Sequence, residues 1–248
     1  MVTNATLPPN TRLYAIGDIH GCADLLVKLL DQIVVHDEGL AEIEHKKLVF
    51  LGDYIDRGPN SAAVLDILIH HLPKGYETIF LKGNHELMLL EGLENERAAL
   101  TWLMNGGLKT IASYLPALIF NWKKGQPLKL IKKFQQTLPN SHLRFFQKLQ
   151  LSTQCGDYFF VHAGVHPDRP LEEQKEQDML WIRDRFLFSR KNFGKIIIHG
   201  HTPAKKVDEA ENQIGIDTAA VYGGSLTALM LEGKKRHYLH APARQKYI

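Results

Sequence analysis

Cysteine is scarce in this sequence of 248 residues, which contains only Cys22 and Cys155. Two cysteines are too few for a disulfide framework or a cysteine-based structural zinc site, and such scarcity is typical of a reducing compartment. No apolar run reaches the length of a membrane span, and residues 1–10 lack the basic and apolar segments of a signal peptide. We therefore expect a cytoplasmic protein that has no membrane partner.

Net charge is also low, at +3, and no long block of lysine or arginine occurs. This balance argues against nucleic acid as a partner, and a nuclease would need a more basic surface. The hydrophobic content of 44% and the charged content of 23% are ordinary for a globular protein whose length allows a sizeable core. Local motifs therefore have to indicate the function.

The most informative motif is Gly-Asp-Tyr-Ile-Asp-Arg-Gly at residues 52–58, directly after the apolar run 48–51. Such a run predicts a buried strand, and ligand-binding groups collect at the carboxyl ends of strands in open α/β sheets. A carboxylate can bridge two metal ions, and a guanidinium can bind two phosphate oxygens. We interpret Asp53 as such a bridge, Asp56 as an orienting group and Arg57 as a phosphate clamp. A turn with a surface ion pair is the simpler alternative.

Hydrophobic periodicity predicts the order of the elements. Strands alternate with helices over residues 12–93, which predicts a βαβαβ unit with parallel strands. Residues 95–150 are irregularly helical, and we interpret them as a helical insertion within one domain that spans residues 1–248. The predicted strands are 12–17, 47–51, 77–81, 149–154, 158–163, 195–198, 213–216, 225–231 and 236–240, and the predicted helices outside the insertion are 24–35, 61–71, 87–93 and about 177–188. The fold class is therefore α/β, with two mixed β-sheets packed as a sandwich flanked by helices.

Polar clusters follow five of the predicted strands. They are Asp18-Ile19-His20, Asp53 with Asp56-Arg57, Asn84-His85-Glu86, His162-Ala163-Gly164 and His199-Gly200-His201-Thr202. Each cluster alone has a structural explanation, such as a helix cap, a turn or a hydrogen-bonded buried histidine. Together they offer carboxylate, imidazole and amide ligands, which suit divalent ions such as Mn²⁺, Fe²⁺ or Zn²⁺. We therefore expect one shared metal site.

Three of these clusters carry a resemblance to a known family. The segments 17–21 (Gly-Asp-Ile-His-Gly), 52–58 and 83–86 (Gly-Asn-His-Glu) resemble the signature motifs of the phosphoprotein phosphatases, which belong to the calcineurin-like metallophosphoesterases. Segments 102–107, 180–185 and 216–218 are similar to the bacterial and phage lambda serine/threonine phosphatase branch. The resemblance covers about residues 13–231. It implies a four-layer α/β/β/α fold and two divalent metal ions, with Mn²⁺ as the expected ion.

The resemblance also implies a ligand set for the two metals. The first metal would be held by Asp18, His20 and Asp53, and the second by Asp53, Asn84, His162 and His201. Ala219 is a departure outside this set, because bacterial members commonly have glycine after the Asp-Thr pair that precedes it.

Roles in catalysis follow from the same resemblance. Arg57, Arg183 and Asn84 would bind the substrate phosphate, and Arg185 lies close enough to leave the choice of the second arginine open. His85, paired with Asp56, would be the general acid. Hydrolysis would proceed by direct attack of a hydroxide that bridges the two metals.

The resemblance leaves two activities open. The first is a serine/threonine protein phosphatase whose partner is a phosphoprotein or phosphopeptide, with no regulatory subunit indicated. The alternative is a dinucleoside polyphosphate hydrolase that cleaves bis(5'-nucleosyl)-tetraphosphate symmetrically. Relatives with that activity usually lack the second acid of the middle motif and have aspartate after Asn-His, whereas this chain has Asp56 and Glu86. A third hypothesis is a catalytically inactive binding module. The intact set of metal ligands argues against it.

Covalent phosphatase mechanisms do not fit the sequence. A cysteine phosphatase needs arginine six residues after its nucleophile, where this chain has Lys28 and Val161. An aspartyl nucleophile needs Asp-x-Asp after the first strand, and this chain has Asp18-Ile19-His20 there. The region from 95 to 150 is either scaffold or the source of substrate selectivity, since it follows the strand that precedes Asn84.

Overall fold

A computed structural model of the protein describes residues 4–120 and 127–247. Within these residues the strands form two five-stranded sheets. The strands are β1 (Thr11–Ile16), β2 (His45–Phe50), β3 (Glu77–Phe80), β4 (Ser152–Cys155), β5 (Tyr158–Val161), β6 (Ile196–His199), β7 (Asp208–Glu209), β8 (Gln213–Gly215), β9 (Ser225–Glu232) and β10 (Lys235–Pro242).

Helices cover the outer faces of the sheets and fill the segment between β3 and β4. They are α1 (Ala23–Glu38), α2 (Ser61–His70), α3 (Asn84–Glu94), α4 (Glu96–Trp102), α5 (Leu108–Tyr114), α6 (Pro116–Phe120), α7 (Pro127–Thr137), α8 (Asn140–Gln147), α9 (Glu176–Trp181) and α10 (Asp184–Leu187). A kinked segment, Leu103–Gly107, joins α4 to α5, and Gly106 has a positive φ of 111° there. In the described residues no helix has both the length and the apolar character needed to cross a membrane.

Sheet topology confirms the predicted fold class. The first sheet has the order β10-β9-β1-β2-β3, and its strands β1, β2 and β3 are parallel, as the βαβαβ pattern predicts. The hairpin of β9 and β10 completes this sheet in antiparallel fashion. The second sheet has the order β4-β5-β6-β8-β7, with β5, β6 and β8 parallel. Both sheets are therefore mixed, and the parallel strands end at one edge.

Side-chain alternation along the strands explains the layers. Leu13 and Ala15 of β1 pack between the two sheets, whereas Tyr14 and Ile16 point to the opposite face and pack against the helices. Because successive side chains of a strand lie on opposite faces, a strand covered on both sides is apolar throughout. A smaller cluster around Phe186 covers the outer face of the second sheet. The result is a helix–sheet–sheet–helix arrangement.

Several elements differ from the sequence predictions, and the short strand β7 was not predicted at all. The single helix predicted over 177–188 is wrong, because Ile182 (φ −62°, ψ 143°) and Arg183 (φ −132°, ψ −109°) have non-helical conformations that separate α9 from α10. Met179 and Phe186 are both buried and lie seven residues apart, so helical spacing continues across the break and conceals it. Helix α3 begins at Asn84 rather than near residue 87, because the Glu86 carboxylate accepts the Gly83 N–H at 2.9 Å and so caps the first turn.

Ala219 provides a test of backbone strain. It adopts a left-handed conformation with φ 61° and ψ 41°, which costs an L-residue other than glycine about 1–2 kcal/mol. Glycine relieves that strain but adds entropy to the unfolded chain, so we expect Ala219→Gly to raise the free energy of unfolding by about 0.5–1 kcal/mol. Urea denaturation measures this change.

Ala220→Gly is the matched control, because Ala220 is buried and is not among the residues with positive φ. It should lower the free energy of unfolding. Equal destabilisation by both substitutions would contradict the strain at Ala219.

Candidate metal centre

The predicted site residues converge at the carboxyl edge of the two sheets. The chain continues from β1 into Asp18 and His20, from β2 into Asp53, from β3 into Asn84, from β5 into His162, and from β6 into His201. All six side chains are at least nine-tenths buried. The sandwich therefore brings residues up to 183 positions apart into contact, as the backbone N–H of His201 and the carboxylate of Asp18 show.

One group of donor atoms lies where the two sheets meet. Asn84 Oδ1 lies 3.0 Å from His162 Nε2 and 2.9 Å from His201 Nδ1, and the two histidine nitrogens are 3.2 Å apart. Asp53 Oδ1 is 3.5 Å from His162 Nε2. The carbonyl of Leu51 accepts the N–H of His162 Nδ1, so the Nε2 lone pair points into the group. Asn84 Oδ1, Asp53 Oδ1 and His162 Nε2 are all acceptors, and acceptors this close to one another favour a cation between them.

A second group is built around the other oxygen of Asp53. Asp53 Oδ2 lies 3.4 Å from His20 Nε2 and 3.9 Å from His85 Nε2. His20 donates from Nδ1 to the Ile55 carbonyl, which again leaves its Nε2 lone pair facing inward. This geometry groups His85 with His20 and Asp53. The Asp18 carboxylate lies instead against the backbone N–H of His201, at 3.1–3.2 Å, so its role as a ligand stays a prediction.

Electrostatics supports bound cations at these groups. Burial lowers the pKa of His20 to about 3 and that of His201 to about 2, so both rings are neutral at neutral pH. Burial and the carboxylates of Asp217 and Asp53 raise the pKa of Asp18 well above its ordinary value. Protons on His20 and His201 therefore do not balance the clustered carboxylates, whereas divalent ions would. The donor set fits two such ions that share Asp53.

His85 and Asp56 form a buried hydrogen-bonded pair, with 2.7 Å between His85 Nδ1 and Asp56 Oδ2. Burial opposes protonation of His85, but the carboxylates of Asp53 and Asp56 outweigh it and raise the pKa of His85. The Nε2 atom of His85 is buried and lacks a hydrogen-bond partner among the described residues, and it faces the metal groups. This atom is therefore the one available to exchange a proton with a bound substrate.

Sequence analysis did not identify two residues that support this pair. Trp102 donates its indole N–H to both Asp56 oxygens at 3.0 and 2.9 Å, and Thr110 donates its hydroxyl to Asp56 Oδ1 at 2.6 Å. Thr110 also accepts the Asp56 backbone N–H at 2.9 Å. The only sequence signal for Trp102 was its position in the segment 102–107 that resembles the family, and nothing marked Thr110.

The arginines occupy different surroundings. Arg57 is half-buried and donates from Nη1 to His20 Nε2 at 2.8 Å, so it borders the metal groups. Arg183 is exposed, and its charge contributes to lowering the pKa of both His162 and His201. Arg185 instead pairs with the exposed carboxylate of Asp168 at 2.8 Å. The structure therefore gives Arg185 an ion-pair partner outside the site, and the phosphate-binding role of Arg183 stays a prediction.

Asp217 is a further buried acid beside the site. Burial raises its pKa to about 6, against the opposing hydrogen bond that its carboxylate accepts from the Ala219 N–H. Sequence analysis assigned no role to this residue beyond its place in the segment 216–218. His199, by contrast, lies outside the metal groups, since its ring packs edge-on against Phe186 and its Nδ1 donates to the Gly200 carbonyl at 3.1 Å.

A family model for the calcineurin-like phosphoesterases matches residues 11–231. The chain belongs to this family. Membership implies a dinuclear divalent metal site, which agrees with the two donor groups that share Asp53.

Similar proteins with assigned activities fall into two classes. Serine/threonine-protein phosphatase 1 of Salmonella typhimurium is 30% identical, over 89% of this chain and 92% of the relative. The asymmetrical bis(5'-nucleosyl)-tetraphosphatase PrpE of Halalkalibacterium halodurans is 25% identical, over 94% of each chain.

Solved structures with the same fold include a tetraphosphatase and a protein-tyrosine phosphatase. A candidate diadenosine tetraphosphatase matches with a TM-score of 0.65 at 21% identity, covering 96% of this chain and 98% of that one. The cold-active protein-tyrosine phosphatase of a psychrophilic Shewanella matches with a TM-score of 0.61 at 17% identity, covering 97% and 84%. At these identities the likeness concerns the fold alone.

Asp53 contributes one oxygen to each donor group, and its replacement should therefore affect both metals. For Asp53→Asn we expect metal affinity to fall by at least about 100-fold, beyond the 10–100-fold typical of an outer-shell partner. Turnover of any phosphoester should fall with it. Metal content after dialysis, measured by mass spectrometry, checks the expectation.

His199→Gln is the matched control, because His199 ends the strand that leads to His201 but its ring lies outside both groups. It should keep its metal. Full metal occupancy in Asp53→Asn would contradict the shared bridge.

A substitution at Thr110 tests whether the hydrogen bonds that Asp56 accepts help to position His85. Thr110→Val keeps the shape but removes the hydroxyl, at a stability cost of about 1–3 kcal/mol. We expect kcat for an alkyl phosphate to fall by about 10-fold, with a much smaller loss for p-nitrophenyl phosphate, whose leaving group needs little proton donation.

Ser113→Ala is the control on the same helix, since Ser113 bonds to the Ala62 N–H and the Thr110 carbonyl and has no bond to Asp56. It should change neither substrate's kcat. Equal losses for both substrates in Thr110→Val would show that Thr110 has a structural role only.

Proposed function

We propose that this protein is a metal-dependent phosphomonoesterase that removes phosphate from phosphoserine and phosphothreonine in proteins. The observation that carries the proposal is the buried pair of His85 and Asp56. Its carboxylate accepts donors from Trp102 and Thr110, so the acid is held in one orientation. This arrangement suits a reaction whose leaving group has to receive a proton.

Leaving-group chemistry distinguishes the two candidate activities. The departing oxygen of a serine or threonine ester is a strongly basic alkoxide, and a positioned general acid accelerates its departure by about 10²–10⁴-fold. Cleavage of a dinucleoside tetraphosphate expels a phosphate oxygen of a nucleotide, which is weakly basic and gains little from protonation. An oriented acid with a raised pKa is therefore of most use on the phosphoprotein substrate.

Substrate binding and charge neutralisation fall to the arginines at the site. Arg57 and Arg183 would bind the non-bridging phosphate oxygens, where the guanidinium fork matches the anion. When bound, the two divalent ions supply Lewis acidity, activate water and offset charge on the phosphoryl group. Mn²⁺ is the ion we propose, because imidazole, carboxylate and amide oxygen make up the donor set. His85 would then donate its Nε2 proton to the leaving oxygen.

The second candidate is a dinucleoside tetraphosphate hydrolase. The observation that favours it is the similarity to PrpE, at 25% identity over 94% of the chain. PrpE is named as an asymmetrical tetraphosphatase, whereas the alternative expected from the sequence is a hydrolase that cleaves symmetrically. The similarity to serine/threonine-protein phosphatase 1, at 30% identity, supports the first candidate.

His85→Asn tests the proposed role of the acid. The substitution keeps a polar side chain and removes the transferable proton, so kcat for a phosphoserine peptide should fall by about 100-fold or more. The loss for p-nitrophenyl phosphate should stay below about 10-fold, because its phenolate leaves without a proton. Phosphate release is measured with Mn²⁺ present, and metal content confirms that the centre is intact.

A parallel assay separates the two activities in the unmodified protein. Phosphate release from phosphoserine and phosphothreonine peptides is compared with nucleotide release from diadenosine tetraphosphate at equal enzyme and Mn²⁺ concentrations. The proposal expects a higher kcat/KM for the peptides. A higher kcat/KM for the dinucleotide would establish the second candidate instead.

A further inference from the structure

A cavity of about 410 Å³ lies beside the metal centre, between two loops. Residues 203–205 form one wall, directly after His201, and residues from 218 to 224 form the other, directly after Asp217. The backbone N–H of Ala204 donates to the Asp217 carbonyl at 3.0 Å and joins the two loops. The cavity is thus bounded by the segments that follow two buried residues of the site.

Tyr222 connects this cavity to the phosphate position. It lines the cavity, and the Arg57 guanidinium carbon lies 5.9 Å from the centre of its ring. That distance is within the range of a cation–π contact. A phosphate held by Arg57 therefore has the cavity as its neighbour, at a separation that an adjoining residue of a peptide can span.

The loop that carries Tyr222 is held in place on both sides. Its own backbone closes through the Gly224 N–H and the Ala219 carbonyl at 2.9 Å. The carboxyl-terminal segment adds two bonds, from the Tyr247 N–H to the Val221 carbonyl at 3.1 Å and from the Ala243 N–H to the Gly224 carbonyl at 2.8 Å. A wall fixed in this way can discriminate between side chains, because little order is lost when one binds.

The residues that line the cavity carry a single charged side chain. Lys205 is the only charged side chain among the eight lining residues, and it is exposed. Among the residues that the structure describes, it has no salt-bridge partner within 4.0 Å. The remaining lining is aromatic, small or backbone, so an anionic group that enters meets a lysine without an internal competitor.

We infer that this cavity binds an acidic side chain next to the phosphorylated serine or threonine of a substrate. Lys205 would pair with the carboxylate, and the Tyr222 ring would pack against the side-chain stem. The inference rests on the proposed function, since it names the class of phosphopeptide that the same site prefers. Lys205 and Tyr222 are then specificity determinants that take no part in the cleavage.

A charge-swap experiment tests it. Phosphoserine peptides that differ only in the flanking residues, glutamate or lysine, are assayed for kcat/KM at low ionic strength, together with p-nitrophenyl phosphate. We expect the unmodified protein to prefer the glutamate-flanked peptide by about 5-fold, the upper range for an exposed ion pair. Lys205→Glu should abolish or reverse this preference and leave p-nitrophenyl phosphate turnover unchanged.

Lys206→Glu is the matched control, since Lys206 is the exposed neighbour that does not line the cavity. It makes the same change in net charge and should keep the preference. Equal loss of preference in both variants would overturn the inference in favour of a general charge effect. So would peptides cleaved without any charge preference, or a parallel loss of p-nitrophenyl phosphate turnover in Lys205→Glu.

Failure of the proposed function looks different. In that case the unmodified protein would hydrolyse p-nitrophenyl phosphate but neither peptide, and the cavity would have no peptide to select. That result overturns both proposals, whereas cleavage without charge preference overturns only this one.

Discussion

The carboxylate of Glu86 is the constraint on which the site depends. It accepts backbone N–H groups from Gly83, Asp53 and Tyr54 at 2.9, 2.9 and 2.8 Å, and so ties the loop after β2 to the start of α3. The Asp53 carbonyl in turn accepts the N–H of His20 at 2.8 Å, which adds the loop after β1. Three loops that belong to three separate motifs are therefore held as one unit by hydrogen bonds from their main-chain N–H groups.

Strained backbone occurs at the site, within this unit and at His201. Positive φ angles occur at five of the residues that the sequence assigns to metal, acid or phosphate: His20 (44°), Asp53 (53°), Asp56 (70°), Arg57 (65°) and His201 (64°). Residues other than glycine rarely adopt such angles, and they persist where the surrounding structure over-determines them. Here the hydrogen bonds to Glu86 and between the loops provide that support.

Burial of the site also has an electrostatic consequence. Carboxylates and neutral imidazoles face one another while they are buried, an arrangement that is unfavourable unless a cation is present. The centre is therefore pre-formed for divalent ions and does not draw stability from its own charge pattern. His85, the proposed general acid, has its two ring nitrogens in different surroundings. Its Nε2 faces the metal groups, and its Nδ1 is hydrogen-bonded to Asp56.

Local motifs were sufficient to predict the metal-binding family and the sandwich, because each motif combines an apolar strand with the polar residues that immediately follow it. Strand-end placement is a short-range property, and parallel strands bring such ends to one edge. Long-range packing alone decided other features. Trp102 and Thr110 reach Asp56 across 46 and 54 positions of chain, and His199 turns away from the site while His201 faces it. Sequence spacing does not predict these contacts, because they depend on how the helices and sheets pack. The local conformational preferences of the residues do not determine them.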